Sequence, residues 1–341
     1  MHSIIGGEFI IENIPCVTEG EICSCERGFA LGRTSFYAIL KNLEGDKAGG
    51  KTILIPDYIC ESVPNTIKDC GWNYSFYHID ESLLPVTETI READAILFVD
   101  YFGVVSLGES VGHIRKEYPN MKIVLDEVQD LFGFYEEKDF DHAFTSLRKW
   151  LPVPDGSFVK SKATNDPVSF KEVKAKGEFV NYKLAGNYLK KYEETIGAQI
   201  ALELIEKGES LLDKDYLYEM SPESQKLFGE LDLESIKKKR IDNALYIHQK
   251  LESASVPHLY SPNKPQMFVP IFVKPEVRNE LRNKLFEANI FCPIHWKYVD
   301  RETSGENELY SKELSLICDQ RYDKNDLDRM LEIVINAFGI N

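Results

Sequence analysis

The sequence lacks the long apolar runs that a membrane protein needs. No stretch stays apolar over the roughly 18 residues that a transmembrane helix requires, and the first seven residues show no basic segment followed by an apolar one. Neither a membrane span nor a secretory signal is predicted. We therefore expect a cytoplasmic protein with no membrane partner.

Positive charge is also scarce. The chain has 40 Lys and Arg residues against 56 Asp and Glu, which gives a formal net charge of -16. Such an excess of negative charge opposes sequence-independent binding to the phosphate backbone of nucleic acids and to anionic lipid surfaces. Nucleic acid is therefore not an expected partner.

Regularly spaced cysteine pairs are missing as well. The seven cysteines are odd in number and scattered over 341 residues, which is unlike the disulfide framework of a small secreted domain. Cys16, Cys23 and Cys25 lie close together, but zinc ligands usually come as two pairs with two to four residues between partners. We predict free thiols and no metal site.

The chain does contain enough apolar material for a large core. Hydrophobic residues make up 43% of it, which fits one large domain and a smaller one. Short β-rich runs alternate with helix-like stretches between residues 30 and 160, a pattern typical of an α/β fold with a mostly parallel central sheet flanked by helices. The predicted strands are 52–56, 74–79, 95–101, 122–126 and 157–160, and the predicted helices are 35–43, 61–70 and 110–118.

The second half of the chain has a different pattern. Residues 178–212 carry apolar residues at helical spacing and no proline, so they predict a long or paired helix that links two domains. Beyond them, a predicted helix to 251, a strand at 267–273 and helices at 277–288 and 325–338 indicate a smaller α+β domain. We predict an N-terminal segment (1–30), a large α/β domain (31–212) and a smaller C-terminal domain (213–341).

Two stretches mix charges of both signs. Residues 136–139 read Glu-Glu-Lys-Asp, and residues 237–240 read Lys-Lys-Lys-Arg within a helix that also carries acids. Such stretches are usually solvated faces of a protein. We interpret both in that way.

The first motif with chemical potential is the start of the first predicted helix. Gly32-Arg33-Thr34-Ser35 directly precedes an apolar helical pattern. Free backbone N–H groups and two hydroxyls at the positive end of a helix dipole suit a bound phosphate. The same residues also fit an ordinary helix cap, and the motif alone does not decide between the two.

The second motif ends a buried strand. Asp126 and Glu127 follow an apolar run, and Gln129 lies three residues beyond Asp126. Ligands of open α/β sheets lie outside the carboxyl ends of the strands. A carboxylate there can keep the nitrogen of a bound pyridine ring protonated. The Gln129 amide can hydrogen-bond a phenolic oxygen on such a ring. The alternative is that either acid caps the next segment.

The third motif is a lysine in a loop punctuated by prolines. Lys149 lies between Arg148 and Trp150. A neighbouring cation and an apolar ring both disfavour the ammonium form, which leaves an amine able to attack a carbonyl. The alternative is an ordinary solvated lysine.

In this order the three motifs resemble the DegT/DnrJ/EryC1/StrS family of fold-type I pyridoxal-phosphate (PLP) enzymes, which are chiefly sugar aminotransferases. The resemblance covers residues 30–160 well and the remainder loosely, and residues 146–156 are similar to the lysine loop of a branch found in polysaccharide gene clusters. It implies pyridoxal 5'-phosphate as cofactor. Lys149 then matches the lysine that holds the cofactor covalently, Asp126 the acid paired with the pyridine nitrogen, and Gln129 the amide that follows.

The resemblance also implies the phosphate contacts. Thr34 and Ser35, with Arg33 before them, match the phosphate-binding start of the first helix. Ser146 would add a further contact. The family's usual serine lies five residues before its lysine, where this sequence has Phe144.

The sequence departs from the family where an aromatic ring usually stacks on the cofactor. Cys60 occupies that position. We predict that Tyr58 takes its place, with Tyr101 and Phe102 as alternatives. Gly156 matches the glycine of the turn that follows the family's lysine.

Two further segments are similar to parts of the family's sites. Asn181-Tyr182-Lys183-Leu184 resembles a segment at which a partner subunit reaches the active site. His295-Trp296 lies where the family's small domain approaches the substrate. A histidine of the core is the alternative for His295.

The function implied by the resemblance is amino transfer. The amino donor would be an amino acid such as glutamate, the acceptor a nucleotide-linked keto sugar of polysaccharide or secondary-metabolite biosynthesis, and the protein a homodimer. Other PLP-dependent reactions stay open, although sugar dehydration is disfavoured by the presence of Lys149. A nucleotide-binding module without PLP would need a G-x-G-x-x-G fingerprint, which residues 32–35 do not provide. A non-catalytic relative that binds sugar nucleotides is the remaining alternative.

Overall fold

The computed structural model describes residues 4–15, 28–44, 50–162, 173–174 and 177–339. The strands are β1 (Ile5–Gly6), β2 (Thr52–Pro56), β3 (Asn73–Tyr77), β4 (Ala95–Val99), β5 (Lys122–Asp126), β6 (His142–Phe144), β7 (Val159–Ser161), β8 (Phe268–Phe272), β9 (Ile290–Phe291) and β10 (Glu313–Ile317). The helices are α1 (Gly32–Glu44), α2 (Ser62–Asp69), α3 (Gly108–Glu117), α4 (Phe179–Leu189), α5 (Glu193–Ile196), α6 (Ala198–Lys214), α7 (Pro222–Gly229), α8 (Leu233–Ser253), α9 (Pro275–Glu287), α10 (Arg301–Ser304), α11 (Leu309–Lys312) and α12 (Lys324–Ala337).

The chain divides into two compact units, and each takes its residues from separate parts of the sequence. The first unit comprises residues 1–7, 50–140 and 232–341, and the second comprises residues 8–49 and 141–231. The predicted domain boundaries after residues 30 and 212 stay a prediction.

The first unit contains a parallel sheet of four strands in the order β3, β2, β4, β5. All five residues of β4 are buried, as expected for a parallel strand covered on both faces. Val99 of β4 lies opposite Asp126 of β5 in the register. The carboxyl ends of these two strands therefore lie side by side.

The remainder of the first unit is an α+β arrangement with its own apolar core. β8 and β10 pair antiparallel, and β1 pairs parallel with β9. Ile247 of α8, Leu285 of α9, Leu316 of β10 and Leu331 of α12 are at most 2% exposed and belong to one buried cluster. α12 begins with a capping box, in which the Asp323 side chain accepts from backbone N–H groups of the first turn.

The second unit pairs β6 with β7 antiparallel and packs α1 against β6. The predicted helix over residues 178–212 is a pair, since α4 and α6 pack along one another. Gly197 separates them with a φ of 81°, a backbone conformation that interrupts a right-handed helix. The paired-helix alternative is thereby confirmed.

Most predicted elements of the α/β part are confirmed, two of them residue for residue. β2 and β5 have the predicted bounds, whereas β4 ends at Val99 and not at residue 101. The chain turns there into a short 3-10 segment in which Phe102 has a φ of 58°. Within the described residues, each helix is too short or too polar to cross a bilayer.

The interpretation of residues 237–240 as a solvated face is wrong at Arg240, which is 1% exposed. Its guanidinium donates to the backbone oxygens of Gln266 and Met267 at 3.1 and 3.3 Å, and Nε donates to Gln320 at 2.8 Å. A buried guanidinium is tolerated because its donors are satisfied. The cysteines 60, 70, 292 and 318 are free thiols, whereas the predictions for Cys16, Cys23 and Cys25 lie outside the described residues.

Candidate functional site

Asp126, the acid predicted to pair with the pyridine nitrogen, lies at the end of a strand of the first unit. Asp126 is the last residue of β5 and is 7% exposed. Its Oδ1 accepts a hydrogen bond of 2.9 Å from the backbone N–H of Val128, and its backbone oxygen accepts one of 3.0 Å from Asp100. The carboxylate is therefore fixed at the carboxyl edge of the parallel sheet, the edge at which ligands of open α/β sheets bind.

Gln129 offers an unused donor in the interior of the first unit. The residue is 2% exposed, and its Oε1 accepts a hydrogen bond of 3.1 Å from the backbone N–H of Phe102. Its Nε2 is buried and has no hydrogen-bond partner within the described ranges. An unpaired buried donor costs about 1–3 kcal/mol, and an acceptor on a ligand would remove that cost.

Tyr58 lies inside a cluster of aromatic rings of the first unit. Its ring centroid is 5.6 Å from that of Tyr101, 5.3 Å from Trp296 and 5.0 Å from Tyr310. Burial, and next the charge of Glu313, raise the pKa of the Tyr58 phenol. The hydroxyl lacks a hydrogen-bond partner in the part of the chain that the structure describes. The role of this ring in stacking on the cofactor stays a prediction.

The alternatives for that role are buried in the same region of the first unit. Tyr101 and Phe102 are 1% and 0% exposed, respectively, and Cys60 is half-buried. The His295 ring centroid is 5.2 Å from that of Phe102, and its Nδ1 lies 2.9 Å from Oγ of Ser315. These contacts favour the alternative in which His295 belongs to the core.

One group of ions near Asp126 was missed by the sequence analysis. We call Lys138, Asp100, Glu127 and Asp130 the Lys138 cluster. The Lys138 Nζ lies 3.1 Å from Asp100, 2.9 Å from Glu127 and 3.5 Å from Asp130, and each carboxylate residue is at most 3% exposed. The interpretation of residues 136–139 as a solvated face is therefore wrong at Lys138.

The charge balance of the Lys138 cluster alters the acidity of its members. Burial raises the pKa of Glu127 to about 7, although Lys138 acts in the opposite direction. Burial and the neighbouring Asp130 and Glu127 also raise the pKa of Asp100. With three carboxylates around one ammonium, the cluster favours holding a proton near neutral pH.

Side chains at the start of α1 hydrogen-bond to backbone oxygens of the second unit, to which α1 itself belongs. The Arg33 guanidinium donates to the backbone oxygen of Leu212 at 2.7 Å, and its Cζ lies 4.8 Å from the centroid of the Tyr216 ring. The Thr34 hydroxyl donates to the backbone oxygen of Tyr216 at 2.5 Å. Both predicted phosphate-binding side chains therefore already have protein acceptors.

Ser35 is fully buried beside the loop that follows the predicted lysine. Its Oγ lies 2.6 Å from Oγ of Ser157. Because the Ser157 hydroxyl donates its own proton to the backbone oxygen of Thr145, Ser35 is the donor in this pair. The Ser35 backbone N–H donates to the backbone oxygen of Leu31 at 3.0 Å, so the earlier backbone N–H groups at the start of α1 are the candidate donors for an anion. The phosphate-binding role of residues 33–35 stays a prediction.

Lys149 closes a short 3-10 segment, Leu147–Lys149, in the second unit. The lysine is half-buried, and the next residue, Trp150, is 0% exposed. Ser146 precedes the segment and is 2% exposed. The predicted contact between the Trp150 ring and the Lys149 amine stays a prediction. The covalent role of Lys149 and the phosphate contact of Ser146 stay predictions.

The backbone geometry of the turn after Lys149 requires a glycine. Gly156 has a φ of 129°, and a Cβ there would lie 2.8 Å from Cδ1 of Leu147. Its N–H donates to the backbone oxygen of Ala30 at 2.7 Å. The preceding Asp155 accepts from the N–H of Ser221 at 3.0 Å, and burial raises the pKa of this carboxyl to about 6.

A second group of ions lies next to Lys149 in the sequence. We call Glu209, Arg148 and Lys183 the Glu209 cluster. Glu209 Oε1 accepts from Arg148 Nη1 at 2.6 Å and also from Lys183 Nζ. Lys183, in the segment predicted to lie near a partner subunit, is 1% exposed. Burial acts to raise the pKa of Glu209, but the two cations outweigh it and lower this pKa to about 2.

Within each unit the structure thus assembles part of the predicted set. In the second unit, the pairs Ser35–Ser157 and Ala30–Gly156 join the start of α1 to the lysine loop. In the first unit, the Phe102 N–H joins Gln129 to the segment that follows β4. Asp126 and Lys149 belong to different units, and their convergence stays a prediction.

No protein-family model matches the sequence, and no curated protein does either. Solved structures do. PseC of Helicobacter pylori, an aminotransferase involved in the biosynthesis of pseudoaminic acid, is 16% identical at a TM-score of 0.63, and the match covers 92% of this chain and 86% of PseC.

Two further solved structures are similar over comparable lengths. A DegT/DnrJ/EryC1/StrS aminotransferase of Brucella abortus is 16% identical at a TM-score of 0.62, with 92% of this chain and 85% of that chain covered. NtdA of Bacillus subtilis, solved with bound PMP, is 15% identical at a TM-score of 0.62, with 92% and 73% covered. The chain therefore has the fold of these three proteins, two of which are aminotransferases, and the predicted α/β fold is confirmed.

Proposed function

We propose that this chain is a PLP-dependent aminotransferase of the DegT/DnrJ/EryC1/StrS family. It would transfer an amino group from an amino acid such as glutamate to the keto group of a nucleotide-linked sugar. The observation that carries the proposal is the fold, which the chain shares over 92% of its length with two aminotransferases and with NtdA, a protein solved with bound PMP. The three sequence motifs support it independently of the fold.

Residues of the first unit fit the polar atoms of a pyridine ring. The buried Nε2 of Gln129 needs an acceptor, and the phenolic oxygen of the ring is one. The Asp126 carboxylate is oriented by the Val128 N–H and supplies the negative charge that keeps a pyridine nitrogen protonated. The donor set in this unit therefore fits pyridoxal phosphate.

Lys149 has two proposed tasks. Its Nζ would hold the cofactor, and the same amine would take the proton from the α-carbon of the amino donor. When bound, pyridoxal phosphate supplies an electron-withdrawing ring that stabilises negative charge at that carbon. Arg33, Thr34, Ser35 and Ser146 would hold the phosphate, and the Tyr58 ring would lie against the cofactor.

The attachment of the cofactor can be tested directly. We expect the protein loaded with PLP to absorb in the visible range, to lose that absorbance on borohydride reduction, and to carry the reduced adduct on Lys149 in a peptide digest. Lys149→Ala should carry none, whereas the matched variant Lys160→Ala should keep it. An adduct on Lys160 or Lys162 would overturn the assignment of Lys149 and leave the fold untouched. A colourless protein would favour the non-catalytic alternative.

The reaction type needs a second measurement. Addition of glutamate to the loaded protein should convert the bound cofactor to its aminated form and release 2-oxoglutarate, with no acceptor present. Conversion by none of the common amino acids, despite a normal adduct on Lys149, would favour a different PLP-dependent reaction. Asp126→Asn should bind the cofactor but convert it at least about 100-fold more slowly, because the ring loses its charge partner.

We also infer that the protein works as a cytoplasmic homodimer, as the family resemblance implies. Light scattering coupled to gel filtration at micromolar concentration should give twice the mass of the 39.1 kDa chain. A monomer of that mass would contradict the dimer.

A further inference from the structure

We propose that His248, Glu252 and His258 form a binding site for Zn²⁺ or a similar divalent transition metal. His248 and Glu252 lie four residues apart on α8, and His258 lies in the segment that follows this helix. Residues four apart on a helix project from the same face. The three side chains offer two imidazole nitrogens and one carboxylate oxygen, which are ordinary zinc ligands. None of them has a role in the proposed aminotransferase reaction.

The distances suit a single ion. The candidate ligand atoms of the three residues all lie within 4.8 Å of one another. The Nδ1 of His248 is 2.8 Å from Nε2 of His258. Two nitrogens bound to one tetrahedral zinc ion lie about 3.3 Å apart, given Zn–N bonds of about 2.0–2.1 Å. A small rotation of one ring, with the proton of His248 Nδ1 moved to the Nε2 of the same ring, therefore converts the hydrogen-bonded pair into a pair of ligands.

The tautomer of His258 is set for metal binding. Its Nδ1 lies 2.7 Å from the backbone oxygen of Val256, and only an N–H can bond to that oxygen. The Nε2 of the neutral ring therefore carries the lone pair, and this lone pair faces His248. A ligating histidine whose other nitrogen donates to a backbone carbonyl is the usual outer-shell arrangement of zinc sites.

The positions of both histidines are fixed without the metal. The His248 ring stacks on Tyr260 with centroids 4.1 Å apart and an interplanar angle of 8°. His258 forms a bridge with Ile271 of β8, and Ile247, beside His248, is fully buried in the core. A site whose ligands are held by a helix and a strand loses little conformational freedom when it binds an ion.

Access and ligand chemistry point to a transition metal. Glu252 is exposed and both histidines are half-buried, so an ion can enter from solvent and keep a water at its open position. Imidazole ligands favour Zn²⁺, Ni²⁺ and Cu²⁺ over Mg²⁺ and Ca²⁺, which prefer sites made of oxygen ligands. The acids of the Lys138 cluster also lie close enough to hold an ion, but the Lys138 ammonium already pairs with all three of them.

The test is zinc stoichiometry on the full-length protein after treatment with a chelator. Equilibrium dialysis against Zn²⁺ should show one bound equivalent in the wild type that is lost in the double variant His248→Ala/His258→Ala. His113→Ala, which removes a histidine of α3, should bind as the wild type does. Equal zinc stoichiometry and affinity in the double variant and the wild type would overturn the proposal, as would no zinc binding by the wild type at micromolar concentration.

Two further measurements guard against misfolding and against binding by cysteines. Glu252→Gln changes an exposed side chain and should weaken zinc binding by about 10-fold or more, with unchanged thermal unfolding in the presence of a chelator. Co²⁺ in the same site should give visible bands of nitrogen and oxygen ligands. A thiolate charge-transfer band in place of them would assign the ion to cysteines and overturn the site.

Discussion

The two units each bury a small group of ions, and the charge balance of the two groups is opposite. The Lys138 cluster of the first unit surrounds one cation with three carboxylates. The Glu209 cluster of the second unit surrounds one carboxylate with two cations. Each cluster therefore has an excess of one sign. Water screens the buried acids of the Lys138 cluster only weakly, and it screens the partly exposed Glu209 more.

The same residue type responds in opposite directions in the two clusters. The pKa of Glu127 rises to about 7, and that of Glu209 falls to about 2. Burial acts to raise both, and it acts on Glu127, at 1% exposure, more than on Glu209, at 35%; the neighbouring charges add to the difference. One cation shared among three acids does not offset burial, whereas two cations around one acid more than offset it.

Each cluster also adjoins a residue of the proposed reaction. Glu127 directly follows Asp126, and Arg148 directly precedes Lys149. The charge excess in each unit is therefore placed next to a group whose own charge matters for the chemistry. Substitutions that change the two clusters in matched ways test whether charge balance is the controlling factor.

The largest loss of stability is expected for Glu209→Gln. The change leaves Lys183, which is 1% exposed, and Arg148 without the carboxylate that pairs with both. Breaking a buried ion pair costs about 3–5 kcal/mol, and the partial exposure of Glu209 reduces this to about 2–3 kcal/mol. Burial and Arg148 lower the pKa of Lys183, and acidification keeps both cations protonated. Chemical unfolding should therefore show a loss at pH 7 and a loss at least as large at pH 5. If the variant were as stable as the wild type at pH 7, the proposed charge balance of the Glu209 cluster would be contradicted.

Lys138→Met should lower the free energy of unfolding somewhat less, by about 2 kcal/mol at pH 8. The loss is smaller because the three acids can bind protons and so lose their charge. The loss should shrink to less than about 1 kcal/mol at pH 5. Recovery on acidification distinguishes this cluster from the Glu209 cluster. A loss of equal size at both pH values would show that packing, not charge, is responsible.

Glu127→Gln is the matched counterpart of Glu209→Gln, and it should change the free energy of unfolding in the opposite direction. A folded-state pKa of about 7, above the unfolded value near 4.5, means that the wild type loses stability as the pH rises from about 4.5 to 7. The variant should therefore stay within about 1 kcal/mol of the wild type at pH 5 and be more stable by about 1–3 kcal/mol at pH 8. Chemical unfolding at both pH values measures the difference, and destabilisation by more than about 2 kcal/mol at pH 8 would contradict it.

The smallest effect is expected for Arg148→Met, which removes one of the two cations and leaves the pair of Lys183 with Glu209. The Arg148 side chain is 24% exposed, so the pair contributes little and the change should stay within about 1 kcal/mol. In acid, Glu209 should lose its stabilising charge at a higher pH than in the wild type, since its pKa is no longer lowered by two cations. Unfolding followed between pH 5 and pH 2 would show this shift.

Local pattern was enough to predict the elements of the sheet. The runs 53–55 and 123–125 are apolar and β-branched or leucine-rich, and the strands β2 and β5 that contain them have the predicted bounds. The helical spacing over residues 178–212 predicted a long or paired helix, and Gly197, with a φ of 81°, lies directly before α6 of the pair. These features depend on residues close in sequence, so the sequence is sufficient to locate them.

The charged residues show the limit of such reasoning. Lys138 and Arg240 lie in stretches that look solvated, yet Lys138 contacts Asp100, 38 positions away, and Arg240 contacts Gln266, 26 positions away. A charge pattern does not reveal whether a distant partner removes a side chain from water. The aromatic environment of Tyr58 and the unpaired amide of Gln129 were hidden for the same reason.

By itself the sequence determined the α/β architecture, the order of the three motifs and the resemblance that they carry, because periodicity and motif spacing are local properties of the chain. Only the tertiary structure decided which ions are buried together, which hydroxyls at the start of α1 already have acceptors, and which histidines of the C-terminal part face one another. Those facts depend on contacts between residues far apart in sequence, and burial and pairing, not residue type, determine their energies.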